Sequence, residues 1–185
     1  MTPFRKLSER ELYRGSLIRV GTATFSGPDG DEFERDVVHH PGAVSVVPLL
    51  DDGTVVLVRQ YRAAIDADLL EIPAGKRDVA DEPPEETAHR ELAEEIGMKA
   101  GRMDKLAEFY NSPGFCDERS WVFLARDLSE CGTDLQGIEE QHMTVERVAL
   151  ADVPSLIARG EITDAKTIIG LALTHSGPHI AHQGA

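Results

Sequence analysis

The chain has 185 residues, 41% of them hydrophobic and 28% charged, which is the size and usage of one large globular domain or a domain with a small appendage. Its formal net charge of −14 argues against nucleic acid or an anionic membrane as partner, because both reward a basic patch. The same charge disfavours an anionic substrate unless a divalent cation reverses the sign locally.

In chain order, the charged first twenty residues hold no apolar secretory core, and no later stretch reaches the roughly eighteen apolar residues of a membrane span. Residues 17–25 and 33–40 are β-rich runs joined by Ser-Gly-Pro-Asp-Gly-Asp-Glu, a hairpin turn. Residues 43–50 and 54–59 flank Asp51-Asp52-Gly53, a second hairpin signal. Glu71-Ile72-Pro73-Ala74-Gly75 leads into a loop before a helix. Residues 106–110, 120–126 and 143–150 read as strands, and 152–159 and 164–174 as helices, with Thr163 the expected N-cap of the last. Strands interrupted by helices predict an α/β sandwich. The tail from Ser176 is expected to be loose, with His175, His179 and His182 solvated. His39 and His40 are expected to have local structural roles. Cys116 and Cys131 have no metal or redox spacing, so a reducing, cytoplasmic setting is expected.

The helix after the loop carries the densest chemistry. Pro83 and Pro84 suit its first turn, Glu85 and Glu86 complement its dipole, and Gly97 suits its end. At about 100° per residue, Glu91, Glu94 and Glu95 share one third of its circumference. Like charges so placed repel by a few tenths of a kcal/mol per pair, a penalty a bound cation would remove. Clustered hard oxygens suit Mg²⁺ or Mn²⁺. Ala88, Leu92 and Ile96 form a neighbouring apolar stripe, so the carboxylate face and the packing face are expected to be separate. A solvated acidic helix is the plain alternative.

Gly75, Glu82, Arg90, Glu91, Leu92, Glu94, Glu95, Gly97 and Met98 together resemble the Nudix box, G-x5-E-x7-R-E-U-x-E-E-x-G-U, where U is a bulky aliphatic residue. One departure exists: six residues rather than five separate Gly75 from Glu82, which puts the loop register in question. Val58-Arg59-Gln60-Tyr61-Arg62, Glu71-Ile72-Pro73-Ala74-Gly75, Ser112-Pro113-Gly114-Phe115 through Glu118, and Glu161-Ile162-Thr163-Asp164-Ala165-Lys166-Thr167 are similar to the ADP-ribose pyrophosphatase branch of that family. Pro113 sits close to the proline that the branch carries roughly sixteen residues beyond the box.

The resemblance implies an α/β/α sandwich with a mixed sheet over residues 41–175, preceded by a small antiparallel strand module over 1–40 and followed by the tail 176–185. It implies a metal-dependent enzyme that hydrolyses ADP-ribose to AMP and ribose 5-phosphate, and a homodimer in which the N-terminal module pairs two subunits and helps build the substrate pocket. Glu91, Glu94, Glu95 and the Ala74 carbonyl would hold Mg²⁺, with Mn²⁺ as substitute. Arg90 would fix carboxylate orientation amid Glu82, Glu86 and Glu94. Glu82 reads as a loop anchor, with metal contact the other option. The general base is implied to come from Gly137-Ile138-Glu139-Glu140-Gln141-His142-Met143, with Glu139 first and Glu140 second; both otherwise keep a loop solvated. Arg59, Arg62, Glu118 and Phe115 are the candidate substrate contacts, and Phe115 and Trp121 otherwise belong to the core. Another nucleoside diphosphate derivative as substrate is the alternative. So is a non-catalytic ADP-ribose sensor, against which the intact box glutamates argue.

Overall fold

The computed structural model describes residues 3–135 and 137–177. These form two compact units: residues up to Gly42 with Phe109–Arg119, and Ala43–Glu108 with Ser120 onward.

In the first unit, β1 (Arg5–Arg14), β2 (Arg19–Ser26) and β3 (Glu32–His39) form an antiparallel meander. β1 lies outside the expected strands. Nearly every β1 residue is exposed, so no alternation of polar and apolar residues marks it. Its pairing is irregular, with register shifts between Lys6 and Ser8 and between Glu11 and Tyr13. Aromatic packing fixes one end of the meander, where Phe25 stacks on its register partner Phe33 at 5.6 Å and Phe4 meets Phe33 edge-on at 6.1 Å.

The second unit is built around β4 (Ala43–Pro48), buried along its whole length. β4 pairs in parallel with β9 (Arg119–Glu130), from Ala43 opposite Ser120 to Pro48 opposite Ala125, and antiparallel with β7 (Ala74–Lys76). β8 (Met98–Tyr110) flanks β9 and completes a mixed sheet. β5 (Thr54–Arg62) pairs with β6 (Ala67–Glu71) and β10 (Thr144–Ala149) in a separate antiparallel sheet. The expected hairpin at Asp51-Asp52-Gly53 is therefore a tight turn only. Leu49 bridges Val55, and then the strands part into different sheets. The reason is that β7 and β9 already occupy both edges of β4.

Because side chains alternate across a strand, the two faces of β4 and β9 meet different helices. Val44, Val46, Trp121 and Phe123 share a buried cluster with Ala88, Leu92 and Ile96 of α1 (Pro84–Ile96), and Val56 and Val58 of β5 join it. Val47 and Val122, on the opposite face, crowd Gly170 of α4 (Ala165–Ser176) so closely that a Cβ there would sit 2.9 Å from each. The result is the expected helix–sheet–helix layering. Between β9 and α4 the chain forms α2 (Ile138–Gln141), a 3₁₀ turn at Leu150–Asp152 and α3 (Val153–Ala158). Among the described residues no helix is long and apolar enough to cross a membrane. The tail beyond Gly177, with His179 and His182, lies outside the described residues.

Asp164, not Thr163, caps α4. Its carboxylate reaches the Thr167 amide at 2.9 Å, three residues on, and also accepts the Thr167 hydroxyl at 2.8 Å and Lys166 Nζ at 2.6 Å. Burial works against the charged carboxylate, but Lys166 and the Thr167 donors outweigh it and hold Asp164 below the usual carboxylate range. A depressed folded value contributes stability above the unfolded value of about 3.9, and that contribution is lost as pH falls through the folded value. Asp164→Ala should therefore cost about 0.5–2 kcal/mol at neutral pH in urea titrations. The gap from wild type should close in acid.

Candidate active site

The glutamate-bearing helix α1 starts behind Pro83 and ends at Gly97, whose left-handed φ of 64° lets its amide close on Ala93 and Leu92 carbonyls. Two of its three box glutamates face inward. Glu91 is 9% exposed and Glu95 4%, on the same buried side as Ala88, Leu92 and Ile96. The expected separation of a carboxylate face from a packing face is thus overturned. Each glutamate immediately precedes a core residue, and the β7 segment covers both. A Cβ on Gly75 would lie 1.8 Å from the Glu91 carboxyl carbon, so only glycine fits there. The Ala74 amide donates to Glu95 Oε2 at 3.0 Å.

Burial pushes Glu91 up to about 7, against the opposing pull of Arg90. Burial also pushes Glu95 up to about 8; the Ala74 amide lowers it, while Glu91 and Glu140 raise it further. Two neighbouring acids that resist ionisation are what a divalent cation would relieve, and carboxylate oxygens are the donors such cations prefer. The residues present therefore fit a divalent metal. Among the described residues no three His, Cys, Asp or Glu side chains are already gathered as a cage. Glu94 is instead held by Arg90 Nη1 at 3.0 Å.

Arg90 organises the outer side of this cluster. It donates from Nε and Nη2 to the two oxygens of Glu82, each at 3.3 Å, and Nη1 lies 2.7 Å from Glu91. Glu91 thus takes the place expected for Glu86. Burial alone would lower the Arg90 pKa, but Glu82, Glu91 and Glu94 outweigh it and keep the guanidinium charged. The Thr87 hydroxyl and then Arg90 hold Glu82 below its ordinary value. Its backbone carbonyl accepts Arg77 Nη2 at 2.9 Å, while the Arg77 guanidinium lies 4.7 Å over the Trp121 ring. Glu82 therefore anchors the loop. In that loop Asp81 turns at φ 60°, and Gly75 packs directly against Glu91.

The two arginines of β5 have different partners. Three positions apart on a strand, they point to opposite faces. Arg59 donates Nε to Glu146 of β10 at 2.6 Å. Arg62 makes a two-point bond to Glu71, at 2.8 and 2.5 Å, and Glu71 is 1% exposed. That bond, helped by the nearby charges of Glu95 and Asp164, holds the Arg62 proton against the effect of burial. In α2, Glu140 accepts the Gly137 amide at 3.2 Å, and its charge is felt by both Glu91 and Glu95. The charge of Glu139 is felt instead at Tyr61. Adjacent positions on this short helical turn thus face different neighbours.

Phe115 and Glu118 lie in the first unit, on a turn tied to β3 by Val38 and Asp117 backbone bonds. Phe115 is 59% exposed, and Glu118 lies 3.7 Å from His40 Nδ1. His39 bridges Asp117 at 2.5 Å and Glu9 at 2.8 Å. Trp121 is core. Sequence reasoning missed Arg77 and the anchoring role of Glu71, neither of which has a spacing signature.

The match to the NUDIX domain family spans residues 39–169, and the chain belongs to that family, whose members generally use divalent metal ions. It is 37% identical over 163 residues to the ADP-ribose pyrophosphatase of Bacillus subtilis (strain 168), covering 88% of each chain. It is 37% identical over 173 residues to the ADP-ribose pyrophosphatase of Mycobacterium tuberculosis (strain ATCC 25618 / H37Rv), covering 94% of this chain and 84% of that one. A crystal structure described as an ADP compounds hydrolase shares the fold with a TM-score of 0.81, covering 94% of this chain and 93% of that one at 23% identity.

The inward glutamates make stability depend on pH. Their folded pKa values lie above the unfolded value of about 4.3, so their contribution is full below that value and is lost as pH rises through about 7 and 8. In EDTA, the melting temperature of the wild type should fall from about pH 5 to about pH 8 and level off above that, and Glu95→Gln should flatten the fall. Circular-dichroism melts across the range check this, and equal slopes for the two proteins would contradict it.

Proposed function

We propose that this protein hydrolyses the pyrophosphate bond of ADP-ribose to AMP and ribose 5-phosphate, with Mg²⁺ as the working ion and Mn²⁺ as a substitute. The observation that carries this reading is the buried, proton-retaining pair Glu91 and Glu95 against Gly75. It occurs in a chain 37% identical, over most of its length, to two ADP-ribose pyrophosphatases. Glu91, Glu94, Glu95 and the Ala74 carbonyl would hold the ions, which when bound supply charge neutralisation for the pyrophosphate and a more acidic water.

The remaining work falls to the chain itself. Arg90 orients the carboxylates of Glu91 and Glu94. Glu140 accepts the proton of the attacking water, a role supported by its coupling to both inward glutamates; Glu139 is the second choice. Arg62, whose Nε and Nη2 are taken by Glu71, offers Nη1 to a substrate phosphate. Arg59, paired with Glu146, is the weaker phosphate ligand. Glu118 would accept ribose hydroxyls and the Phe115 ring would cover the nucleoside, both by family resemblance.

A homodimer is part of the same reading. Phe4, Leu12, Tyr13 and Leu17 expose 67, 50, 58 and 42% of their surface around the β1–β2–β3 meander, and a second copy would cover them. Free Cys116 and Cys131 and the charge of −14 support a cytoplasmic setting without nucleic-acid partners.

With Mg²⁺ the purified protein should release AMP from ADP-ribose, and EDTA should abolish the release. ADP-ribose left intact would overturn the activity. Glu140→Gln should lower kcat by ~10²–10⁴-fold with KM little changed, whereas Glu139→Gln should keep most of its turnover. The opposite ranking in steady-state assays would return the base to Glu139.

A further inference from the structure

The segment joining β6 to β7 leaves the sheet ladder at Ile72, which is 1% exposed and whose amide has no strand partner to meet. That amide donates to the Thr167 hydroxyl oxygen at 3.0 Å. Thr167 is fully buried, and its hydroxyl in turn donates to Asp164 Oδ2 at 2.8 Å. The oxygen is thereby fixed as an acceptor, polarised by a carboxylate behind it. On one side of Ile72 stands Glu71, the two-point anchor of Arg62. On the other side, Pro73 accepts the Val46 amide at 2.9 Å, the Ala74 amide holds Glu95 and Gly75 is packed against Glu91. A side chain of α4 thus grips the one peptide from which an arginine anchor and the seats of both inward glutamates extend.

We propose that Thr167, backed by Asp164, is a positioning residue for the metal-binding glutamates and for Arg62. This rests on the metal role assigned to Glu91 and Glu95 above. The relay does not touch substrate. It sets where the 71–75 segment lies, and so the carboxylate geometry a divalent ion meets. Loss of a group that orients metal ligands costs about 10–100-fold in metal affinity or activity in well-studied sites, and Thr167 exerts its hold through the 71–75 backbone.

The test uses the full-length protein and Mn²⁺ alone, titrated by calorimetry, beside kcat and KM for ADP-ribose. Thr167→Val keeps the side-chain shape but removes the acceptor, and should weaken Mn²⁺ binding by about 10–100-fold and lower kcat more than KM rises. Thr167→Ser, which restores the hydroxyl, should recover most of both. A folded Thr167→Val protein with wild-type Mn²⁺ affinity and kcat overturns the proposal, as does a wild-type protein with no measurable Mn²⁺ binding. Should Thr167→Val fail to fold, Asp164→Asn decides: it should weaken Mn²⁺ binding several-fold, and unchanged affinity overturns the role. The Mn²⁺ titration needs no substrate, so it decides this point even where ADP-ribose is not cleaved, a result that would overturn only the activity.

Discussion

Glu91 and Glu95 are withdrawn from water one helical turn apart, and much of the surrounding architecture exists to make that tolerable. Repulsion between like charges at this spacing is small on an exposed helix, a few tenths of a kcal/mol. Desolvation is the larger cost, and it shows in acids that keep their protons to about pH 7 and 8. What offsets it is local: Arg90 beside Glu91, the Ala74 amide on Glu95, and a glycine where any side chain would collide. The same pairing of burial and limited compensation leaves the carboxylates poised for a cation.

The sheet supplies rigidity to this arrangement. β4 is buried on both faces and paired on both edges, so the β7 segment that covers the glutamates is tied to the most constrained strand of its unit. Helix α1 is seated on the same strand through Leu92 and Ala88, both inaccessible to solvent. Truncating such a leucine typically costs 2–5 kcal/mol, well above the electrostatic terms. Packing therefore fixes where the carboxylates are, and electrostatics fixes only their protonation.

The acidic helix was legible in the sequence because caps, prolines and glutamate spacing all pointed to it, and the layering followed from the order of strands and helices. Three kinds of feature were not legible. β1 has both faces exposed, so no periodicity betrays it. The inward turn of Glu91 and Glu95 depends on what covers the helix, which the helix's own pattern does not encode. Thr163 and Asp164 are both good caps by composition; only the reach of the Asp164 carboxylate to Thr167 separates them. Arg59 and Arg62 stood together as candidates in the sequence, although their odd separation on one strand sends them to opposite faces. Their partners Glu146 and Glu71 depended on pairing between strands.

The parallel pairing of β4 with β9 carries a kinetic consequence. Val44 needs Trp121 beside it, so the sheet cannot close until a long stretch of intervening chain has been made and looped back. Local structure such as the glutamate helix forms on far shorter timescales than contacts so distant along the chain. A helix of 13 residues is marginal in water on its own, so α1 draws most of its stability from the sheet it packs on. Until β7 is laid over them, its glutamates would have the proton affinity of ordinary exposed carboxylates.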